Sequence, residues 1–261
     1  KATLAAMKLI QSRDNVFFKS LKRLVESGRE RRKTGQTLLD GVHLVEAYEA
    51  ALGPVDTLIV AESALAAGEV AAFVAGRETV VLSDGLMRDL GLVDTPSGLL
   101  AVARMPTAVT AVNRKKDAIL LDGVQDPGNV GTLLRTAAAA GVQQALLSPG
   151  CASAWSPKVL RAGQGAHFAL NIYEDADLAG FMADYQGTTA VTTLELASSL
   201  YEARWDGPLA WIFGAEGQGV SPELQSAAQL RIRIPMPGAV ESLNVAAAAA
   251  ICLFEALRRK L

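Results

Sequence analysis

The chain has 261 residues, half of them hydrophobic and a fifth charged, which suits a globular protein of one large or two ordinary domains. No apolar run reaches the roughly 20 residues that a bilayer span needs, and this excludes a transmembrane helix; the alanine-rich stretch from Val245 to Phe254 is about half that length. Net charge is −2, yet residues 1–40 carry ten Lys and Arg against four Asp and Glu, so the remainder of the chain sums to −8. Cys151 and Cys252 stand far apart, without a CxxC motif or a histidine at metal-ligand spacing, which argues against a disulfide framework and against a metal site. A reducing, cytoplasmic setting is expected. The first residues show no secretory pattern, and with Lys1 in place of a methionine a trimmed start is expected.

In chain order, "NVFFKSLKRLVES" (15–27) is a basic amphipathic helix with Phe18, Leu21, Leu24 and Val25 at helical spacing. "GRERRKTG" (28–35) holds the densest positive charge. Lys19, Lys22, Arg23, Arg29, Arg31, Arg32 and Lys33 form either a solvated face or an electrostatic footprint for phosphates, the second reading gaining weight only if the rest of the chain points to a nucleic acid. Strand-like and helix-like runs then alternate from "QTLLDG" to "GLLAVARM", predicting a small α/β domain over residues 1–105. "PTAVTAVNRKKD" (106–117) is polar and is taken as a linker. From 118 to 261 the alternation resumes: the strands "AILLDGV", "QALLSPG", "FALNIYE", "TTAVTTL", "LAWIFG" and "LRIRIPM" predict a mostly parallel sheet with helices on both faces. Ligands of such sheets sit beyond the carboxyl ends of the strands.

Three polar, glycine-bearing loops fall at such ends. In "DGVQDPGNVGTLLRTA" (122–137), Asn129 stands where a helix N-cap belongs. Arg135 follows in a helix of apolar and small residues, either as a surface cation or as a holder of a phosphate or developing oxyanion. In "LAWIFGAEGQGVSPEL" (209–224), Gly214, Gly217 and Gly219 permit close backbone approach or positive φ, and Ser221-Pro222 opens a helix. The spacing is G-x-x-G-x-G, not G-x-G-x-x-G, and no βαβ unit follows, so a dinucleotide site is discounted. In "IPMPGAVESLNVAAAAAICLFEAL" (234–257), Pro235, Pro237 and Gly238 bend a loop, and Ser242 and Asn244 mark a helix start whose N–H groups favour an electron-rich group. Capping explains one of these polar residues but not the set. Ala246 to Ala250 leave a backbone bare enough for another element to pack at short range.

Together, "DPGNVGTLLRTA", "FGAEGQGVSPEL" and "IPMPGAVESLNVAAAAAICLFEAL" resemble, in order and spacing, the three motifs of the SpoU (TrmH-like) family of RNA ribose 2′-O-methyltransferases of the SPOUT class. "NVFFKSLKRLVESGRERRKTGQTLLDGVHLVEA" resembles that family's substrate-binding domain, which has a ribosomal-protein-like fold. The resemblance implies an α/β SPOUT domain with a parallel sheet and a deep trefoil knot, preceded by a small ribosomal-protein-like α/β domain. It implies S-adenosylmethionine held by the second and third loops, and a homodimer in which a catalytic arginine of one subunit can serve the other. Carried over by position, Gly214, Ile234 and Leu243 contact the cofactor, with Met236, Gly238 and Asn244 lining the same loop. Asn129, Arg135, Glu216, Ser242 and Asn244 match the polar catalytic set. The helix after Asn244 departs slightly, with Ala where Ser-Val is common. Ribosomal RNA is favoured over tRNA, since dedicated tRNA enzymes of the family usually carry basic terminal extensions in place of this N-terminal domain. The alternative of another class is a non-catalytic RNA-binding or ribosome-assembly protein, against which the intact polar set argues. A guanidinium is almost always protonated, so Arg135 is expected to stabilise an alkoxide instead of acting as a literal base. His43 and His167 are taken as structural.

Overall fold

A strand buried on both faces needs apolar side chains at successive positions, because alternate residues point to opposite sides. Runs that satisfy this condition form most strands of the computed structural model, which describes residues 8–66, 68–92, 96–106, 111–193, 197–239 and 242–261. The linker expected over 106–117 and Glu241 of the third loop fall partly or wholly outside these residues. The chain divides into two units, one made of residues 1–107 with Trp155–Phe168, the other of Ala108–Ala154 with Ala169–Leu261.

The first unit holds β1 (Lys8–Ile10), α1 (Val16–Glu26), α2 (Gly28–Thr34), β2 (Gln36–Asp40), α3 (Val42–Leu52), β3 (Thr57–Ala61), α4 (Gly68–Val74), β4 (Thr79–Leu82), α5 (Asp84–Asp89) and β5 (Leu99–Arg104). Its sheet runs β1-β4-β3-β5-β2, with β5 antiparallel to both neighbours. Leu38, Leu100 and Val102 face a core built with Phe18, Leu21 and Leu24 of α1 and Leu86 and Met87 of α5. Their chain neighbours Leu39, Leu99 and Ala101 face the opposite core with Val42, Val45 and Tyr48 of α3.

The first unit thus also draws on residues 155–168 of the chain. Leu160, on α7 (Pro157–Gly163), is fully buried in the second of these cores. The Thr37 hydroxyl donates to the Trp155 carbonyl at 2.7 Å, and Arg161 pairs with the buried Asp40. A helix written in the second half of the sequence thus completes the core of the first unit.

The second unit contains β6 (Ala118–Asp122), α6 (Pro127–Ala139), β7 (Gln144–Leu147), β8 (Asn171–Tyr173), α8 (Leu178–Asp184), β9 (Thr188–Thr192), β10 (Ser198–Ser199), β11 (Leu209–Gly214), α9 (Pro222–Ala227), β12 (Leu230–Arg233) and α10 (Val245–Arg258). Its seven strands, in the order β10-β12-β9-β11-β6-β7-β8, pair in parallel throughout. Phe181 and Met182 of α8, Tyr185 just beyond it and Leu224 of α9 cover one core. Elsewhere in the unit α10 packs along α6, with Ala246, Ala249, Cys252, Leu253 and Ala256 turned inward. Gly141, at φ +80°, follows the end of α6 and turns the chain where the sequence predicts the helix to stop.

Candidate active site

The three loops lie after β6, β11 and β12, at the carboxyl ends of strands in one parallel sheet. The first begins α6 earlier than the N-cap reading of Asn129 requires. Asp126 is the cap, its carboxylate accepting from the Asn129 N–H at 2.8 Å, and Pro127 fills the first helical position. Asn129 is therefore inside the first turn, and its side chain is free for another task. Asn244 Nδ2 donates to Asn129 Oδ1 at 3.1 Å across 115 residues of chain, joining the first and third loops. Asn244 Oδ1 accepts from the N–H groups of Ala246 and Ala247. The donors at the mouth of α10 are thus held by its own cap, and the expectation that they await an electron-rich group is corrected accordingly.

In the second loop the requirement for glycine is steric. A Cβ on Gly214 would stand 2.0–2.1 Å from the backbone of Gly219 and Val220. That close approach is to the loop's own return, where Ala215 and Gly219 form an isolated antiparallel bridge. Gly217 and Gly219 hold φ of +80° and +70°, which side chains of L-residues resist. Glu216 projects from the tip, exposed and without a hydrogen bond or ion pair to any described residue. Arg135 is likewise exposed and unpaired among the described residues; it lies on the solvent stripe of α6 with Thr132 and Ala139.

Ile234, Met236, Ser242 and Leu243 of the third loop line a pocket of roughly 470 Å³, counted to its open mouth. Thr192, Thr193, Ile232 and Ala248 complete the wall. Gly214 and Gly238 do not line it: the former shapes the second loop, and the latter is exposed. Sequence reasoning missed the two threonines, although "TTAVTTL" ends in hydroxyls at the carboxyl end of a strand, where α/β sheets place ligands. It also missed Asp122 and Ser148, which end β6 and follow β7. An aliphatic wall with hydroxyls at its edge fits a molecule with a flat apolar face and polar ends, such as an adenosine derivative. Among the described residues no group of three His, Cys, Asp or Glu could hold a metal ion.

The basic residues of the first unit separate into three kinds. Lys19 pairs with Asp14 at 2.8 Å, and Lys22 and Arg23 lie near Glu26 and Glu30 at 3.9 and 4.0 Å. Arg29, Arg32 and Lys33 share one exposed face of α2 and have no carboxylate partner among the described residues. Arg31 departs from the expected surface role. It is 4% exposed, and its guanidinium donates to the carbonyls of Leu24 and Val25 at 2.7 and 3.1 Å, bracing the end of α1. His167 is buried edge-on against Trp155, while His43 is solvated between Glu46 and Glu69, outside any core.

Residues 117–254 match the SpoU rRNA Methylase family, and residues 15–101 match the MRM3-like substrate binding domain. The chain belongs to the SpoU rRNA methylase family. It is 34% identical over 251 residues to the 23S rRNA (guanosine(2553)-2′-O)-methyltransferase RlmP of Bacillus subtilis, covering 95% of this chain and 98% of that one. A crystal structure of an RNA 2′-O ribose methyltransferase superposes with a TM-score of 0.83 at 29% identity, over 97% of this chain and 99% of the other. The AdoMet-bound rRNA methyltransferase of Sinorhizobium meliloti superposes with a TM-score of 0.78 at 27% identity, over 98% and 99% of the two chains. The SPOUT fold with its parallel sheet is thereby established, and the deep trefoil knot comes with membership of the family.

Proposed function

We propose that this protein methylates a ribose 2′-hydroxyl of ribosomal RNA, with S-adenosylmethionine held at the pocket of the third loop. The observation that carries this reading is the Asn244–Asn129 hydrogen bond, which joins the loop lining the pocket to the loop that begins the Arg135 helix. The 23S rRNA methyltransferase of Bacillus subtilis matches along nearly the whole chain, the N-terminal domain included, and this supports ribosomal RNA over tRNA.

Ile234, Met236 and Leu243 would hold the apolar part of the cofactor, with Thr192, Thr193 and Ser242 at its polar edges. When bound, S-adenosylmethionine supplies an electrophilic methyl group. The chain's own work is to place the hydroxyl in line and to relieve the charge that develops as its proton leaves. Arg135, permanently cationic, stabilises the forming alkoxide or the neighbouring phosphate. Asn129 and Asn244, fixed by each other, leave their remaining polar capacity for ribose or base, and the Glu216 carboxylate is available to orient the substrate. Arg29, Arg32 and Lys33 bind RNA phosphates.

A homodimer suits the outer face of α10, where Ala247, Ile251 and Phe254 recur at helical spacing and Phe254 is 47% exposed. Arg135, without a partner in its own chain among the described residues, is available to the second copy's site. The free thiols of Cys151 and Cys252 suit a reducing compartment, and a cytoplasmic location is part of this proposal. No helix among the described residues is long and apolar enough to cross a membrane.

The test is incubation with methyl-labelled S-adenosylmethionine and unmodified ribosomal RNA or tRNA in parallel, followed by alkaline digestion, which spares the bond beside a 2′-O-methyl ribose. Label in an alkali-resistant dinucleotide from ribosomal RNA is the expected result. Label from tRNA alone overturns the substrate, and absence of transfer together with absence of cofactor binding overturns the activity.

A further inference from the structure

Asp122 is the last residue of β6 and stands in register opposite Gly214 of β11. Its carboxylate accepts from the Ser221 N–H at 2.8 Å and from the Ser148 hydroxyl at 3.3 Å. Ser148 Oγ in turn accepts from the Gly123 N–H at 3.0 Å. One carboxylate therefore gathers the ends of β6 and β7 and the start of α9. Ser221 occupies the N-cap position of α9, yet its side chain makes no capping bond. Gln225 Nε2 donates locally to the Val220 carbonyl at 2.6 Å, and Asp122 anchors the same end from 99 residues away in the chain; hydrogen bonds to an ionised acceptor are stronger than those between neutral groups. Between Gly214 and Ser221 the second loop closes on its Ala215–Gly219 bridge and carries Glu216 at the tip. Glu216 has no partner of its own among the described residues, so its place depends on the two ends of its loop. One end continues from β11 at Gly214, and the other is held at Ser221 by Asp122.

We propose that Asp122 is a positioning residue for methyl transfer, a latch that holds the loop from Gly214 to Ser221 so that Glu216 stays at the site. The inference rests on the role given above to Glu216, and Asp122 itself touches neither substrate nor cofactor. The experiment compares wild type with Asp122→Ala, Asp122→Asn, Glu216→Gln and the double variant Asp122→Ala/Glu216→Gln. Amide hydrogen exchange over residues 214–221 and methyl transfer to ribosomal RNA are both followed. Asp122→Ala should accelerate exchange in the loop and lower turnover by roughly 10-fold or more. Asp122→Asn, whose carboxamide oxygen still accepts from Ser221, should recover part of the loss. The double variant should be no slower than Glu216→Gln alone, because groups that act through one another are non-additive.

Unchanged turnover in Asp122→Ala, or losses that multiply in the double variant, would overturn the positioning role. The exchange measurement needs no RNA. If wild type transfers no methyl group, the proposed function fails, while the latch stands or falls on whether exchange accelerates in Asp122→Ala.

Discussion

The Asn244 side chain does two things at once: its oxygen caps α10 through the N–H groups of Ala246 and Ala247, and its nitrogen donates to Asn129 at 3.1 Å. The two roles separate by substitution. Asn244→Ala loses both and should cost about 1 kcal/mol of stability from the cap, lowering Tm by roughly 2–4 °C in a protein of this size. Asn244→Asp keeps the capping oxygen but loses the donor, so it should restore Tm and leave methyl transfer impaired. Thermal denaturation and turnover of the two variants, measured side by side, check this; full turnover in Asn244→Asp would remove the Asn129 bond from the site's function.

Arg135 is exposed and bound to no described residue, so stability should not register its loss. Arg135→Ala is expected to stay within about 0.5 kcal/mol of wild-type stability, to bind S-adenosylmethionine normally, and to abolish transfer. Calorimetric titration of the cofactor and a labelled-methyl assay separate the two effects. Near-normal turnover would sink the assignment.

The basic stretch predicts opposite phenotypes for adjacent arginines. Replacing Arg29, Arg32 and Lys33 by alanine should leave folding intact and weaken RNA binding at every sequence. The slope of log K against log salt should fall by about one for each phosphate no longer neutralised. Arg31→Ala should instead destabilise the first unit by about 1–3 kcal/mol, since the Leu24 and Val25 carbonyls lose their buried charged donor. Filter binding across a salt series and denaturant unfolding distinguish the two classes.

Glu255 predicts a pH dependence. Hydrogen bonds from Arg258 and Arg259 hold its carboxyl at about 2, below the ordinary value of 4.5. A carboxyl depressed in the folded state adds stability above its unfolded value, and that stability drains as pH falls from about 4.5 toward 2. Arg259 also donates to the carbonyls of Ala203 and Leu200 at 2.6 and 2.5 Å and lies over the Trp205 ring, so the pair ties the end of α10 to that segment. Glu255→Gln should lower stability at pH 7 and flatten the acid limb of the unfolding curve; an acid limb parallel to that of wild type would show that the pair contributes nothing.

Much of this protein is legible in its sequence because the signals are local. The alternation that sends Leu38 and Leu39 to opposite cores follows from a period of two, and most strands fall on the apolar runs that announce them, β1 and the Ser198–Ser199 pair of β10 excepted. Gly214, Gly217 and Gly219 are visible as a tight turn for the same reason. Asn129 shows where local reasoning runs out: an N-cap signal is present, but Asp126 three residues earlier satisfies it, and nothing nearby reveals that Asn129 meets Asn244. Arg31 looks like its neighbours in a run of like charge, and only the α1 carbonyls above it decide that it turns inward.

The sequence by itself determined the α/β class and the place of the three loops, since backbone periodicity, turn chemistry and glycine spacing act over a few residues. Tertiary structure alone decided which groups meet. The strand order β10-β12-β9-β11-β6-β7-β8 places the ends of β6, β11 and β12 in one sheet although β6 lies about a hundred residues from the other two in the chain. It sets Asp122 against Ser221, Asn129 against Asn244 and Thr192 against Ile232. Hydrogen bonds and packing depend on proximity in space, and parallel strands bring together residues that no local pattern in the chain connects.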